Sequence, residues 1–386
     1  MKINLLTILP FICIFFYSCL NKASDKNDLA IKTKEISKSF IPLKEAGDIE
    51  FSTLTNIQQE QNKFTNTATK KGVKILHHLD ETGFHFYQDV KFKNKNIGVI
   101  VGGTRLRARI TENGGKSWKE FSFSRFANKF ESIAFSRNTM FIVGASNYIF
   151  RSKDLGETWS VLDTKYFFND DQSRFQKFKY YKVRFLSEKI GFIVGEHQQK
   201  AVILKTTDGG DNWELINTTN QLKNDKGISD LEILSANEII ITTLSGNCYK
   251  SIDGAITWEL LYSDKKSVLS SIAFFNSKEG FIGGLNGLLL YTDDSGKTWN
   301  KINMPYGEVS DIAIYNNSAF VTNSIIFYDE GNPFVFKIDN NGKNVTPFLT
   351  KKEDSILFEG KSYGIQILNE NIYVLDKNNL YQTVVN

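Results

Sequence analysis

The sequence predicts an all-β chain folded as a seven-bladed β-propeller of four-stranded antiparallel blades, with the ring closed by an N-terminal strand. Three observations carry this expectation. All five tryptophans end one octet: TENGGKSW (111–118), SKDLGETW (152–159), TTDGGDNW (206–213), SIDGAITW (251–258) and TDDSGKTW (292–299). Successive tryptophans lie 41, 54, 45 and 41 residues apart, close to the ~40–50-residue period of propeller blades. An apolar-x-apolar pair recurs seven times, as Val90/Phe92, Ile133/Phe135, Val183/Phe185, Leu231/Ile233, Ile272/Phe274, Ile312/Ile314 and Ile365/Ile367. Such a pair marks the innermost strand of a blade.

Each blade then reads as four short β-rich runs separated by turn residues. In 271–302 they are SIAFF, GFIGG, LLLYTDD and TWNKI. Blade six keeps only a degraded octet, DNNGKN (339–344), and blade seven ends after LYQTVV without a fourth strand. The strand-like VKILHHL (73–79) can supply it and bring the two chain ends together.

Within the octet, the Asp or Asn side chain can accept a backbone N–H two residues on, closing an Asx-turn. Glycine supplies the positive φ of a tight hairpin, and Trp opens the next strand. This assigns Asn113, Trp118, Asp154, Trp159, Asp208, Trp213, Asp253, Trp258, Asp294 and Trp299 to folding rather than catalysis. The octets resemble the Asp box, or BNR repeat, of sialidases and other propellers, with Asn113, Asn212 and Ala255 as departures. The resemblance implies that the boxes lie on the face away from the binding site. Over its folded part the chain resembles the photosystem II stability/assembly factor-like propellers, which carry similar GFIVG and TTDGGDNW blades. That resemblance implies a partner-binding or assembly role.

The N-terminus reads as an export signal. Residues 1–18 hold a basic start and an apolar run of about 14, shorter than the ~20 needed to span a bilayer. Ser18–Cys19 resembles a lipobox and implies cleavage before Cys19 and its acylation, although Tyr17 departs from the small residue usual at its place. Residues 19–72 are rich in Lys, Asn, Gln, Ser and Thr, the composition of a flexible tether, in which Phe40, Ile41, Leu43 and Phe51 can dock locally. Residues 73–386 form the propeller. With Cys13 in the signal and Cys19 lipidated, Cys248 is left alone, so no internal disulfide is expected. The 41% hydrophobic content is enough for a large core without one. A net charge of +4 gives no case for nucleic acid.

Chemistry is hard to find. Sialidases need an arginine cluster for the substrate carboxylate, and this chain has eight arginines, none after Arg184. No redox or dinucleotide motif is present, the histidines share no metal-ligand spacing, and no metal or cofactor is expected. Asp89, Asp230 and Asp311 precede equivalent innermost strands and could ring one mouth of the central channel. They read either as strand-start caps or as the carboxylate pair of a glycosidase. Two features exceed the repeat. Arg107 and Arg109, continued by Arg105, stand where other blades carry apolar residues. They read as an internal ion pair with a neighbouring blade or as a site for an anionic partner. The long connection 163–180 carries Phe167, Phe168, Arg174, Phe175, Lys177, Lys179 and Tyr180. It reads as a binding surface of aromatic and basic groups or as an insertion folded back on its blade. The combined expectation is an exported, membrane-anchored, monomeric lipoprotein facing the periplasm or cell exterior. It would be a non-catalytic scaffold for an envelope protein or glycan, touching membrane only through its lipid. A carbohydrate-active hydrolase is the alternative.

Overall fold

The computed structural model describes residues 39–43, 50–55, 64–66, 73–78, 87–102, 107–123, 129–168, 178–217, 221–324, 333–339, 341–351, 364–376 and 379–385. The signal-peptide and Cys19 expectations lie outside them. Seven antiparallel sheets follow one another. Their first strands are Tyr87–Phe92, Phe130–Ser136, Phe178–Phe185, Ile228–Ile233, Leu269–Phe274, Glu308–Tyr315 and Ile365–Leu368. Each approaches the first strand of the next blade, and the seventh returns to the first. These strands therefore line a central channel. Lys74–His78 pairs antiparallel with Asn379–Val384 as the fourth strand of blade seven, closing the ring.

Alternation along the strands explains the core. Residues of opposite parity point to opposite sheet faces, and both faces of a blade are covered by neighbours. The buried side chains fall into clusters that each join two adjacent blades. One holds Val99, Phe121, Phe123, Ile133, Phe150 and Trp159 of blades one and two. Blades seven and one share Tyr87, Val90, Trp118, Tyr373 and Leu380, and Phe92 stacks on Tyr373 with ring centroids 3.9 Å apart. Cys248 is buried among the aliphatic side chains between blades four and five.

The octets close hairpins by a wider loop than the sequence reading expects. The Asp carboxylate accepts the N–H four residues on, not two: Thr158 on Asp154 at 2.8 Å, Asn212 on Asp208 at 3.0 Å, Thr257 on Asp253 at 2.9 Å and Thr298 on Asp294 at 2.9 Å. Asn113 does the same for Ser117 at 2.9 Å. The octet's opening hydroxyl donates to this side chain and accepts the N–H of the fifth residue, as Ser152 does for Gly156 at 2.7 Å. The fifth residue takes positive φ throughout, including Ala255 at 80°. Asp339 of the degraded sixth octet accepts the N–H of Lys343 at 2.9 Å, but Lys337 stands where the opening hydroxyl would be.

The segment read as a tether is partly built into the rim. Glu50–Thr55 adds a fifth strand to the outer edge of blade one, Ile41–Pro42 to blade two and Phe64–Asn66 to blade six, all antiparallel. Phe40 packs under Arg151, whose guanidinium carbon lies 3.7 Å from the ring centroid. The N–H of Leu43 bonds to the Trp159 carbonyl. The physical reason is that edge strands are held by main-chain hydrogen bonds, which ask little of side-chain hydrophobicity. Two of the three stretches hold or adjoin Phe40, Ile41, Leu43 and Phe51, the residues expected to dock; Phe64–Asn66 is the addition.

Candidate functional site

Strand direction divides the molecule into two faces. The octets and the turns between first and second strands share one face. The bends between second and third strands, and the connections between blades, share the other. On that second face the innermost strands carry a β-bulge in every blade of one to six, among them Tyr87/Asp89, Tyr180/Lys182, Ile228/Asp230 and Val309/Asp311. A bulge re-aims the next side chain. Glycine stands opposite it in several blades: a Cβ on Gly144 or Gly195 would lie 2.1 Å from the carbonyl of Lys129 or Lys179. The GG and VG pairs of the sequence thus serve close strand approach.

The side chains so aimed are, around the ring, Asp89, Ser132, Lys182, Asp230, Ser271 and Asp311, with Gly364 in blade seven. Every aspartate is an inter-blade staple. One oxygen accepts the N–H of its own successor, at 2.9 Å for Val90, 2.8 Å for Leu231 and 3.0 Å for Ile312. The other accepts an N–H from the next blade: Ile133 at 3.1 Å, Ile272 at 3.1 Å and Ile365 at 3.0 Å. These are the free-edge N–H groups of innermost strands, which have no further strand to pair with. The strand-cap reading describes this geometry, and it leaves the three carboxylates engaged rather than poised for acid–base work.

Basic groups complete the ring. Arg184 binds both oxygens of Asp230, at 3.0 and 3.2 Å, and reaches Glu232 at 2.9 Å. Lys91 lies 3.6 Å from Asp89. Burial alone would raise the Asp89 carboxyl, but Lys91, Lys182 and the bonds from Ile133 and Ser132 outweigh it and hold the group below its ordinary value. Burial would lower Lys182, yet Asp311, Asp230 and Asp89 together hold it above the ordinary lysine range. Glu232 is raised to about 7, by burial first and by Asp230, against the opposing pull of Arg184.

The arginine strand is also internally paired. Arg109 is buried and donates to Glu120 at 2.7 Å, and Arg107 lies 3.4 Å from the same carboxylate. Glu120 stands directly across from Arg109 on the outer strand of the same blade. The partner thus comes from blade one itself, not from a neighbour as the sequence reading has it. Arg105 lies outside the described residues.

The connection after blade two folds back over its described parts. Thr164–Phe167 forms a 3-10 turn capped by Asp163, which accepts the Lys165 N–H at 3.1 Å. Phe167 and Phe168 are half-buried against blade three, where Phe168 and Phe178 flank His197. Tyr180 is fully buried, its hydroxyl 2.6 Å from Thr164 Oγ1, so it is no exposed contact. Lys179 is half-buried, 3.5 Å from Glu131 and over the ring of Tyr181. Arg174, Phe175 and Lys177 lie outside the described residues.

A seven-bladed ring with box hairpins on one face and a charged channel on the other is a form many proteins share, so likeness has to be read at the level of the repeats. The family model described as Photosynthesis system II assembly factor YCF48 matches residues 73–167 and 168–273. The chain belongs to this family. A curated YCF48 relative, the Photosystem II assembly lipoprotein Ycf48 of Synechococcus sp. (strain CC9902), is 23% identical over 192 residues, covering 50% of this chain and 53% of that protein. The chain thus spans about half the length of that relative. The solved structure of YCF48 bound to D1 peptide superposes with TM-score 0.57 at 16% identity, covering 90% of this chain and all of that one. YCF48 from Cyanidioschyzon merolae gives 0.56 at 16% identity over 80% of this chain and 97% of that one. At such identities the superpositions speak to fold.

Within this YCF48-family propeller, Lys182, Arg184 and Glu232 are the channel residues that sequence reasoning missed. A signal was available: aligning the innermost strands puts Lys182 in the register of Asp89, Asp230 and Asp311, and Arg184 and Glu232 follow two residues after that position.

Proposed function

We propose that this chain is an exported, lipid-anchored, non-catalytic propeller that acts as a protein-binding assembly factor through the face opposite its boxes. The family match over 73–273 carries this reading. Support for the anchor comes from the lipobox-like Ser18–Cys19 and from a relative named as a lipoprotein. Support for a protein partner comes from a structural neighbour solved with a bound peptide. Our reading puts the contact at blades two and three, supported by the half-exposed Lys179 and Tyr181, next in sequence to Arg174, Phe175 and Lys177. Arg107 contributes less, because Glu120 offsets its charge. Glycan hydrolysis finds no support in the channel, whose aspartates are held by main-chain N–H groups.

The test is co-purification of envelope proteins with the full chain, compared with a variant lacking residues 169–177, alongside a glycan-hydrolysis screen. A defined partner should be retained by the parent chain and lost by the deletion, with the melting temperature preserved. Equal retention by both chains would move the contact elsewhere, and glycan turnover would overturn the non-catalytic reading. Cys19→Ser should release the chain from the membrane fraction and abolish incorporation of labelled palmitate.

A further inference from the structure

The rim of the propeller treats its blades unequally. Blades one, two and six have their outer edges covered by strands of the chain's own N-terminal segment. Among the described residues, the outer strands of blades three, four, five and seven carry no further strand, and blade seven's, Lys74–His78, opens on an exposed lysine. An open edge offers unpaired N–H and C=O groups to any extended chain, and natural proteins protect it by brevity, charge or proline. Blade three's outer strand is only Glu214–Leu215. Blade five's is Asn300–Asn303, polar except for the buried Ile302 and carrying an exposed lysine. Blade four's is Glu259–Ser263, five residues long, with two leucines and neither lysine nor proline.

The same hairpin exposes aliphatic side chains where its sisters expose polar ones. The second and sixth octet residues are Glu112 and Lys116, Lys153 and Glu157, Thr207 and Asp211, and Asp293 and Lys297 in the other boxes. In blade four they are Ile252 and Ile256, 73% and 59% exposed, and Leu260 of the outer strand is 53% exposed. Neither isoleucine is needed to close the turn, since the Asp253 and Ser251 bonds match those of the other boxes. Three large exposed aliphatic groups beside an open strand edge mark an interaction surface.

We infer that the outer edge of blade four, Glu259–Ser263 with Ile252 and Ile256, docks an extended segment of a partner polypeptide as an antiparallel fifth strand. The occupant follows from the sister blades: what covers their equivalent edges is in every case a short antiparallel strand. The segment carries aliphatic residues at alternate positions to meet Leu260, and lysine or arginine rather than an acid opposite Glu259. This rim site is separate from the face proposed above, and the two readings fail independently.

The test is amide hydrogen exchange on the full chain with a capped synthetic peptide alternating Val with Lys and Thr. Amides within 259–263 should slow by about tenfold or more at saturating peptide, while those of blade five's outer strand are unchanged. A peptide with Glu in place of Lys should bind about tenfold more weakly. The exposed-site variant Ile256→Lys/Leu260→Lys should melt like the parent chain and lose the protection. Unchanged exchange at 259–263, or equal protection in the double variant, would overturn the inference. So would protection of 259–263 that grows with protein concentration in the absence of peptide and tracks a dimer in sedimentation, which would give the edge to a second copy.

Discussion

Two sets of side chains, aspartates with one asparagine, hold this propeller together, and they act over different distances. On the box face, Asn113, Asp154, Asp208, Asp253 and Asp294 each close the hairpin that contains them, four residues along the chain. In the channel, Asp89, Asp230 and Asp311 reach main-chain groups some 42 to 54 residues away, on the next blade. The first set lies at the surface, exposed or half-exposed, and is local; the second is buried and holds the ring closed. Their distribution follows from electrostatics. A hairpin in every blade can carry its own carboxylate, because water screens one from the next. A carboxylate at every channel position would set buried like charges side by side. Accordingly, each channel aspartate is followed around the ring by Ser132, Ser271 or Gly364, and Lys182 sits among the three. Gly364 is favoured on a second count: a Cβ there would stand 3.0 Å from the Val90 nitrogen and 3.2 Å from Asp89 Cα, closer than side chains usually pack.

The sharpest way to break this comparison is to remove one member of each set. Asp230→Ala strips the caps from Leu231 and Ile272 and leaves Arg184 with only Glu232. Removing one partner of a buried ion pair typically costs about 3–5 kcal/mol, and denaturant unfolding should show a loss of that size. Equal losses for this variant and for a box aspartate would erase the distinction between inter-blade staple and local fastener.

The box partner in that comparison is Asp154→Ala, which loses the Thr158 N–H bond at 2.8 Å and the Thr158 hydroxyl bond at 2.5 Å. Both lie at the surface, and the expected cost is about 1 kcal/mol. Asp154→Asn should recover most of it. Blade one already runs on that chemistry: Asn113 accepts the Ser117 N–H and turns its amide to donate to the Ser117 hydroxyl at 2.8 Å. An Asn variant as unstable as the Ala variant would mean that the carboxylate charge, rather than the bonded loop, matters in the box.

How much of this was legible beforehand follows the same division. The box and the innermost pair repeat in sequence because each is a local solution applied blade after blade, so blade number and ring closure could be read from one chain. The channel was half legible. The aspartates declared themselves by register, but Lys182 hid as a departure within the same register. Glu120 escaped as the partner of Arg107 and Arg109 because pairing across adjacent strands depends on hairpin alignment rather than on any motif. The rim strands were least legible. Phe64–Asn66 is held by main-chain bonds to an edge, and a polar segment that pairs in this way has no hydrophobic period to betray it, whereas Ile41–Pro42 announced itself by the apolar Phe40, Ile41 and Leu43.

Acid–base titration separates the box aspartates from Glu232, a channel carboxylate beside the staples, by sign, while the staple Asp89 is lowered as the boxes are. Asp253 and Asp294 fall to about 2, chiefly through the hydroxyl and N–H bonds of Thr257 and Thr298. A lowered folded value means the unfolded chain binds protons first, so their contribution is present above the ordinary carboxylate pKa and is lost as pH falls towards 2. Glu232 is raised to about 7 by burial and Asp230. Here the folded chain keeps a proton that the unfolded chain has released, so stability declines as pH rises from the ordinary glutamate value of 4.5 to about 7. Glu232→Gln removes that decline while keeping a group that can accept from Arg184. Melting temperature measured from pH 4.5 to 7.5 should fall for the parent chain by on the order of 2 °C relative to the Gln variant. Parallel pH profiles for the two chains would show that Arg184, 2.9 Å away, keeps Glu232 ionised in the fold. The channel would then hold its charges as fixed as those of the boxes.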